Sequence, residues 1–154
     1  MKKNKKRLSI IALIIILLLI ALGVANNKNI GVETEGQTWT GKKNTQVKKE
    51  SESIAIPGFE SMTFIKSEKK QAVNLYNPEI NTCYFKLSII LPNGEKIWES
   101  KLIEPGKGIY DIELTKEITE GQYENTILKY ECFSMNKEQT QLNGSEVKFV
   151  LKVI

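Results

Sequence analysis

Few side chains in this sequence of 154 residues have the types and spacing that catalysis or metal binding requires. The chain has no His, which excludes His-based catalytic triads, His general bases and His metal ligands. Its two cysteines, Cys83 and Cys132, are too few for a zinc site and have no His to activate a nucleophilic thiolate. The sequence therefore predicts no metal site, no small-molecule cofactor and no catalytic residue.

Carboxylates are the remaining groups that could do chemistry. A glycosidase needs two acids roughly 5–9.5 Å apart across a cleft. Asp111 and Glu113 are candidates, but they alternate with apolar residues, as charges on the solvent side of a strand do. Because the sequence singles out no pair, a wall-directed glycosidase that uses paired carboxylates is an alternative to a chain without catalysis.

The two cysteines could instead have a structural role. Cys83 begins one predicted strand and Cys132 closes another, and both are expected to point inward. If these strands are antiparallel neighbours, the start of one lies beside the end of the other. Export to an oxidising setting then favours a disulfide between Cys83 and Cys132, and the alternative is two buried thiols that pack as small apolar groups.

The elements that must position these residues begin with an export segment. Residues 1–7 are basic and residues 8–25 form an uncharged apolar run. This pattern directs insertion into the membrane with the basic end in the cytoplasm, so residues 8–25 are predicted to contact the membrane and the rest to lie outside. The run fits either an uncleaved single-pass anchor of the cell membrane or a signal peptide removed after Ala25, which gives a secreted protein.

Charge and composition change after the apolar run. The formal net charge is +4, but five basic residues fall within residues 1–7, so the rest of the chain is close to neutral and predicts no nucleic-acid binding. Residues 26–53 contain few large apolar side chains and are predicted to form a polar disordered tether. Trp39 is the exception, either as a short recognition element or as a residue that docks on the domain or the membrane interface.

Residues 54–154 show the period-two alternation of apolar and polar residues that is typical of strands. Turn signals recur roughly every ten residues, as in an antiparallel β-sandwich of about seven strands. The chain is therefore predicted to be an all-β protein behind its amino-terminal apolar helix. The predicted strands are residues 61–65, 71–76, 83–91, 96–103, 109–114, 126–133 and 146–154.

Asn93-Gly94 lies between two of these runs and predicts a type I′ hairpin, because both central residues of that turn need positive φ. This register pairs Ile89 with Trp98 on the inner face and Lys86 with Lys101 on the other. Two opposed lysines repel each other, so this second face is expected to be solvated or to meet an acidic partner. The candidate binding residues on this face are Tyr84, Lys86, Ile90, Ile97, Glu99 and Lys101.

The sequence from Ile118 to Tyr123 has the form apolar-x-x-Gly-x-Tyr. It resembles the tyrosine corner of immunoglobulin-like sandwiches, in which a Tyr bonds back to the preceding turn. The resemblance implies an immunoglobulin-like β-sandwich over residues 54–154. The second residue after Tyr123 is Asn125 rather than Cys, so the inter-sheet disulfide of antibody-type domains is missing.

The whole layout is similar to that of small membrane-anchored surface proteins of Gram-positive bacteria with immunoglobulin-like domains. It predicts a membrane-tethered, extracytoplasmic interaction module of the surface or adhesion type, without catalysis. Its partner would be an extracytoplasmic protein or a cell-wall component. A carbohydrate-binding module is a further alternative, but the predicted inward position of Trp98 leaves too few exposed aromatic rings to favour it.

Overall fold

The computed structural model describes residues 32–41 and 53–154, so the predicted basic segment 1–7 and apolar run 8–25 lie outside the described residues. Within the part it describes, no helix is present that could cross a membrane. These residues form strands and turns, which confirms the all-β prediction for them. The strands are β1 (Thr34–Glu35), β2 (Gln37–Thr38), β3 (Ser61–Phe64), β4 (Lys70–Tyr76), β5 (Cys83–Ile90), β6 (Lys96–Glu99), β7 (Leu102–Ile103), β8 (Lys107–Glu113), β9 (Gly121–Ser134) and β10 (Gln141–Val153).

The strands form two sheets. The seven-stranded sheet has the order β1-β7-β5-β9-β10-β3, with β6 also paired to β5, and the three-stranded sheet has the order β2-β8-β4. The pairs β1–β7 and β10–β3 are parallel, whereas the other pairs are antiparallel. The larger sheet is therefore mixed, and the prediction of a purely antiparallel arrangement is wrong at its two outermost strands.

Side chains from both sheets meet in one hydrophobic core, as in a β-sandwich. The alternation in the sequence explains why, because every second residue of a strand points to the same face. On the larger sheet, Phe85 and Tyr130 meet edge to face with ring centroids 5.3 Å apart. The smaller sheet contributes Leu75, Ile109 and Ile112.

The hairpin between β5 and β6 keeps only part of the predicted register. Ile89 lies opposite Trp98 as predicted, but Ile90 lies opposite Lys96 instead of Ile97. Pro92 has no N–H to donate and suits the first central position of a type I turn, so the loop begins one residue early. Of the Asn-Gly pair only Gly94 has a positive φ, of 85°, and the predicted type I′ turn is therefore wrong.

Tyr123 makes the bond that its sequence context predicts. Its hydroxyl donates to the carbonyl oxygen of Thr119 at 2.9 Å and lies 2.7 Å from the Thr119 hydroxyl. The contact ties the start of β9 to the turn that precedes it, so the direction in which β9 enters the larger sheet is fixed by a side chain.

Residues 34–41 lie along both sheets, although they fall in the stretch predicted to be a tether. β1 pairs with β7 of the larger sheet and β2 pairs with β8 of the smaller one. Gly36, between them, has a φ of 108°, a left-handed conformation that lets the chain pass from one sheet to the other. We call residues 34–41 the strap. The compact unit that contains the strap and both sheets begins at Glu33.

Trp39 fixes the end of the strap to the smaller sheet. Its ring stacks on Tyr76 with centroids 4.0 Å apart, and its indole N–H donates to the Asn74 side-chain oxygen at 3.0 Å. A Cβ atom at Gly108 would lie 2.8 Å from the Trp39 ring, so this position needs glycine. Of the two roles considered for Trp39, docking on the domain is the one observed.

We expect Trp39→Ala to lower the free energy of unfolding by about 2 kcal/mol, since both the ring stacking and the apolar burial are lost. Trp39→Phe keeps a ring on Tyr76 but loses the bond to Asn74, and should cost about half as much. Chemical denaturation measures both variants, with Thr38→Ala, an exposed neighbour, as the control. A Trp39→Ala protein as stable as the control variant would show that the strap does not stabilise the domain.

Candidate functional site

The outward-pointing side chains of β5 and β9 form a continuous surface on the larger sheet, which we call the outer face. Phe85, Leu87 and Ile89 of β5 point into the core, so their neighbours along the strand point away from it. β9 pairs directly with β5 and has the same alternation. The outer face consists of Tyr84, Lys86, Ser88, Ile90, Ile127, Lys129, Glu131 and Phe133.

The outer face has apolar pairs at both ends and charges between them. Across the two strands, Tyr84 lies opposite Phe133, and Ile90 lies opposite Ile127. Between these pairs, Lys86 faces Glu131 and Ser88 faces Lys129. Protein interfaces commonly combine aromatic and aliphatic contacts with a few charges in this way.

Glu99 of β6 holds the charges at the side of the outer face. Its carboxylate lies 2.8 Å from the Lys86 ammonium group, and it also accepts a hydrogen bond from Lys96. The hydrogen bonds from Lys86 and Lys96 lower the pKa of Glu99 from 4.5 to about 2. Glu99 is therefore a carboxylate at neutral pH and is not suited to act as a general acid there.

The lowered pKa of Glu99 predicts a loss of stability in acid. Because the folded pKa lies below the unfolded one, the stabilisation is complete above pH 4.5 and disappears as the pH falls toward about 2. The pair is partly open to solvent, so we expect an effect of about 1 kcal/mol. Denaturation at several pH values should show this loss in the native protein and not in Glu99→Gln. An identical acid dependence in both proteins would mean that the pair contributes nothing.

The structure separates several of the predicted site residues. Ile97 is 0% exposed, because the bulge after the early turn points both Ile97 and Trp98 into the core. The expectation that Ile97 lies on the second face of the hairpin, as a candidate binding residue, is therefore wrong. Tyr84 lies on the predicted face but is only 8% exposed, and Ile90 is half-buried.

Lys101 is not opposite Lys86, which corrects the second part of the predicted register. Its ammonium group lies 3.1 Å from Glu33, and its backbone N–H donates to the Glu35 carboxylate at 2.6 Å. Lys101 thus contacts the strap and the residue before it, whereas Lys86 faces Glu131. The expected repulsion between two lysines does not arise.

Sequence reasoning missed the half of the outer face that comes from β9. Ile127, Lys129, Glu131 and Phe133 alternate with the buried residues of the predicted strand 126–133, so the signal was present in the pattern. The pairing of β9 with β5 joins residues that are far apart in the sequence, and the alternation of apolar and polar residues within one strand does not reveal which strands are neighbours. The outer face therefore became visible only with the strand order.

A groove of about 490 Å³ lies beside β6 and β8. Four carboxylates line it, from Glu35, Glu99, Asp111 and Glu113. Trp98 also borders the groove but is 7% exposed, too little to serve as a platform for a sugar ring. Among the described residues, no group of three or more Cys, Asp or Glu side chains is arranged to hold a metal ion.

Cys83 and Cys132 lie on the two strands as expected. β5 and β9 are antiparallel neighbours, with Cys83 opposite Ser134 and Cys132 opposite Phe85, so the cysteines are diagonal neighbours. Both are buried free thiols, and they share a hydrogen bond. That bond lowers the pKa of Cys83, and together with burial it raises the pKa of Cys132. The disulfide remains a prediction.

Comparison of the chain with protein-family models, curated proteins and solved structures found no match. What the chain does must therefore be argued from its own residues and contacts.

Proposed function

We propose that this protein is a membrane-tethered, extracytoplasmic protein-interaction module without catalysis, and that the outer face is its binding surface. One observation carries the proposal. Two apolar cross-strand pairs, Tyr84 with Phe133 and Ile90 with Ile127, lie on the side of the sheet that the core does not use. Tyr84 is buried, and Ile90, Ile127 and Phe133 are half-buried, so the pairs form a flat apolar surface beside the charges that a partner can cover further.

The charges between the apolar pairs indicate the kind of surface that the partner presents. Lys86 and Lys129 alternate with Glu131 and Glu99 across three neighbouring strands. Because positive and negative groups are interspersed, the surface does not favour a strongly charged polymer. It fits a protein or a cell-wall surface of mixed polarity, whose charged groups set orientation and specificity.

Membrane attachment is the second part of the proposal. Its support is the basic start of the chain followed by the apolar run 8–25, which resembles the export segment of small Gram-positive surface proteins. Residues 26–33 separate the apolar run from β1, so the polar stretch that precedes the strap is short. We propose that the folded unit lies outside the cell, or is released if the leader is cleaved after Ala25.

We further propose that the fold is immunoglobulin-like. Support comes from the bond between Tyr123 and Thr119, which has the form of a tyrosine corner. The strand order supports it as well, since β5, β9 and β10 are adjacent in one sheet while β4 and β8 pair in the other. A solved structure with a different chain path through the two sheets would contradict this proposal.

The binding proposal predicts a specific effect of charge reversal. In a crosslinking pull-down of the full-length chain from its native membrane, Lys86→Glu combined with Lys129→Glu should reduce partner capture at least tenfold, since reversed charges oppose the partner. Lys101→Glu is the matched control, because Lys101 contacts Glu33 and lies off the outer face. Unchanged capture by the double variant, or an equal loss in the control, would exclude the outer face.

The groove beside β6 and β8 favours a second candidate, a wall-directed glycosidase. The specific observation is that Asp111 and Glu113 line the same groove as Glu99 and Glu35. The proposal of a non-catalytic module predicts no release of reducing ends from purified cell-wall glycan by the full-length protein. Release that disappears in the variant Asp111→Asn with Glu113→Gln would replace the module with the enzyme.

A further inference from the structure

Among the strands that the structure describes, part of one edge of the larger sheet has no neighbour. β10 runs from Gln141 to Val153 and pairs with β9 over most of its length. On its other side, β3 pairs only with Val150–Val153. No backbone group in the described residues pairs with that side of Ser145–Phe149, which we call the open edge. Open edges present N–H and C=O groups that can pair with another strand.

The direction of the backbone groups on the open edge follows from β3. The Val150 N–H donates to the Glu60 carbonyl oxygen at 3.1 Å, so it points away from β9. Along a strand, N–H and C=O groups alternate from side to side. Between Ser145 and Val150, β10 contains no bulge residue, so the alternation is not interrupted. Glu146 and Lys148 therefore point their N–H and C=O groups to the same side as Val150.

We infer that two copies of this chain pair antiparallel through their open edges, about a two-fold axis at Val147. In this register Glu146 of one copy lies opposite Lys148 of the other, and the reverse pair is identical by symmetry. Each such pair can exchange two hydrogen bonds, from the Glu146 N–H to the Lys148 C=O and from the Lys148 N–H to the Glu146 C=O. The dimer thus uses the two outward N–H and C=O pairs of each open edge, four in total.

The register is set by the limits of the open edge. On one side it is bounded by the bulge between Leu142 and Ser145, and on the other by Val150, whose N–H is already bonded to Glu60. Val147 is the middle residue of the stretch between those limits. A two-fold pairing centred there uses the whole open edge, and a shift in either direction would place a bonded or bulged residue in the ladder.

Charge complementarity identifies the occupant as a second copy. Glu146 and Lys148 are both exposed, have opposite charges and lie two residues apart, so their side chains share one face of the strand. An antiparallel copy presents the same two charges in reverse order, and each then meets its opposite. A closed two-fold interface is the commonest arrangement of identical chains and uses up both edges, so it does not propagate into fibres.

Charge exchange tests the register directly. Sedimentation equilibrium of the full-length chain in mild detergent should show a dimer that Glu146→Lys or Lys148→Glu alone weakens at least tenfold, because each substitution creates two pairs of like charges. The double variant Glu146→Lys with Lys148→Glu should restore the dimer, since opposite charges meet again. A monomeric native protein, or a double variant no better than the single ones, would overturn the inference.

A disulfide between copies provides a second readout. Val147 pairs with itself across the axis, in a non-hydrogen-bonded position whose Cα atoms are about 4.5 Å apart, which is within the range of a disulfide. Mild oxidation of Val147→Cys should therefore give a covalent dimer, and oxidation of the exposed control Ala72→Cys on β4 should not. A folded Val147→Cys protein that stays monomeric, or equal crosslinking of the control, would contradict the arrangement.

Discussion

Asn77→Ala is expected to lower the free energy of unfolding by about 4 kcal/mol, because three buried groups lose their hydrogen-bond partner. The Asn77 side chain is 1% exposed, and its amide donates to the carbonyl oxygens of Cys83 and Ile103, each at 2.9 Å. Its side-chain oxygen accepts a hydrogen bond from Asn81 at 2.8 Å. Each group left unpaired in the interior costs its full desolvation.

The loss of stability in Asn77→Ala should also exceed that in Asn81→Ala. Asn81 exchanges two hydrogen bonds with the backbone of Ala55, but that segment lies at the margin of the core. Asn143→Ala, at an exposed position of β10, is the matched control and should change stability by less than about 0.5 kcal/mol. Urea denaturation of the full-length chain measures all three variants. A loss below 1 kcal/mol for Asn77→Ala would mean that water replaces the Asn77 amide.

Oxidation of Cys83 and Cys132 to a disulfide is expected to raise the free energy of unfolding by about 4 kcal/mol, since it closes a loop of roughly 50 residues in the unfolded chain. The two buried thiols already share a hydrogen bond. Their diagonal placement requires a small backbone adjustment, which reduces the gain.

Intact mass without reduction, after incubation with oxidised glutathione, reports the bond, and denaturation with and without reductant reports its effect on stability. Cys132→Ser is the control, because its stability should not respond to reductant. Two free thiols in the oxidised, folded protein would exclude the disulfide. The two cysteines would then be small apolar side chains of the core.

The strands were predictable because their alternation is regular. Val147, Phe149, Leu151 and Val153 occupy alternate positions of β10, and all face the interior. This pattern depends only on which face of the strand is buried, so a strand can be recognised without knowing its neighbours. The parallel pairing of β3 with β10 has no such local signal, because it depends on the path of the chain between them.

The candidate site was predictable in part, and the errors come from two irregularities in the chain after the hairpin turn. The register of the hairpin was derived from Asn93 and Gly94, whereas the turn begins at Pro92. One extra residue in β6 turns Ile97 inward, but Trp98 and Glu99 keep the predicted partners on β5. A second shift, between Glu99 and Ile103, places Lys101 beside the strap instead of opposite Lys86. A shift of one residue reverses the face of the side chains that follow it, up to the next irregularity.

The strap was not predicted from the sequence, because it is held by contacts with distant residues and not by a periodic pattern of apolar residues. Residues 34–38 contain no large apolar side chain, so composition predicted a tether. What holds the segment is backbone pairing with two sheets and a single ring, that of Trp39, above Gly108. Neither the pairing nor the space that glycine leaves can be deduced from the local sequence.

The most direct test of the account is position-specific crosslinking from outside intact cells. Lys129→Cys on the outer face and Ala72→Cys on β4 would each be labelled with a membrane-impermeant thiol photo-crosslinker, which the buried Cys83 and Cys132 do not reach. We predict that both positions are labelled from outside and that only position 129 gives a discrete protein or wall adduct. Labelling that requires cell lysis, or the same adducts from both positions, would contradict an exported module that binds through its outer face.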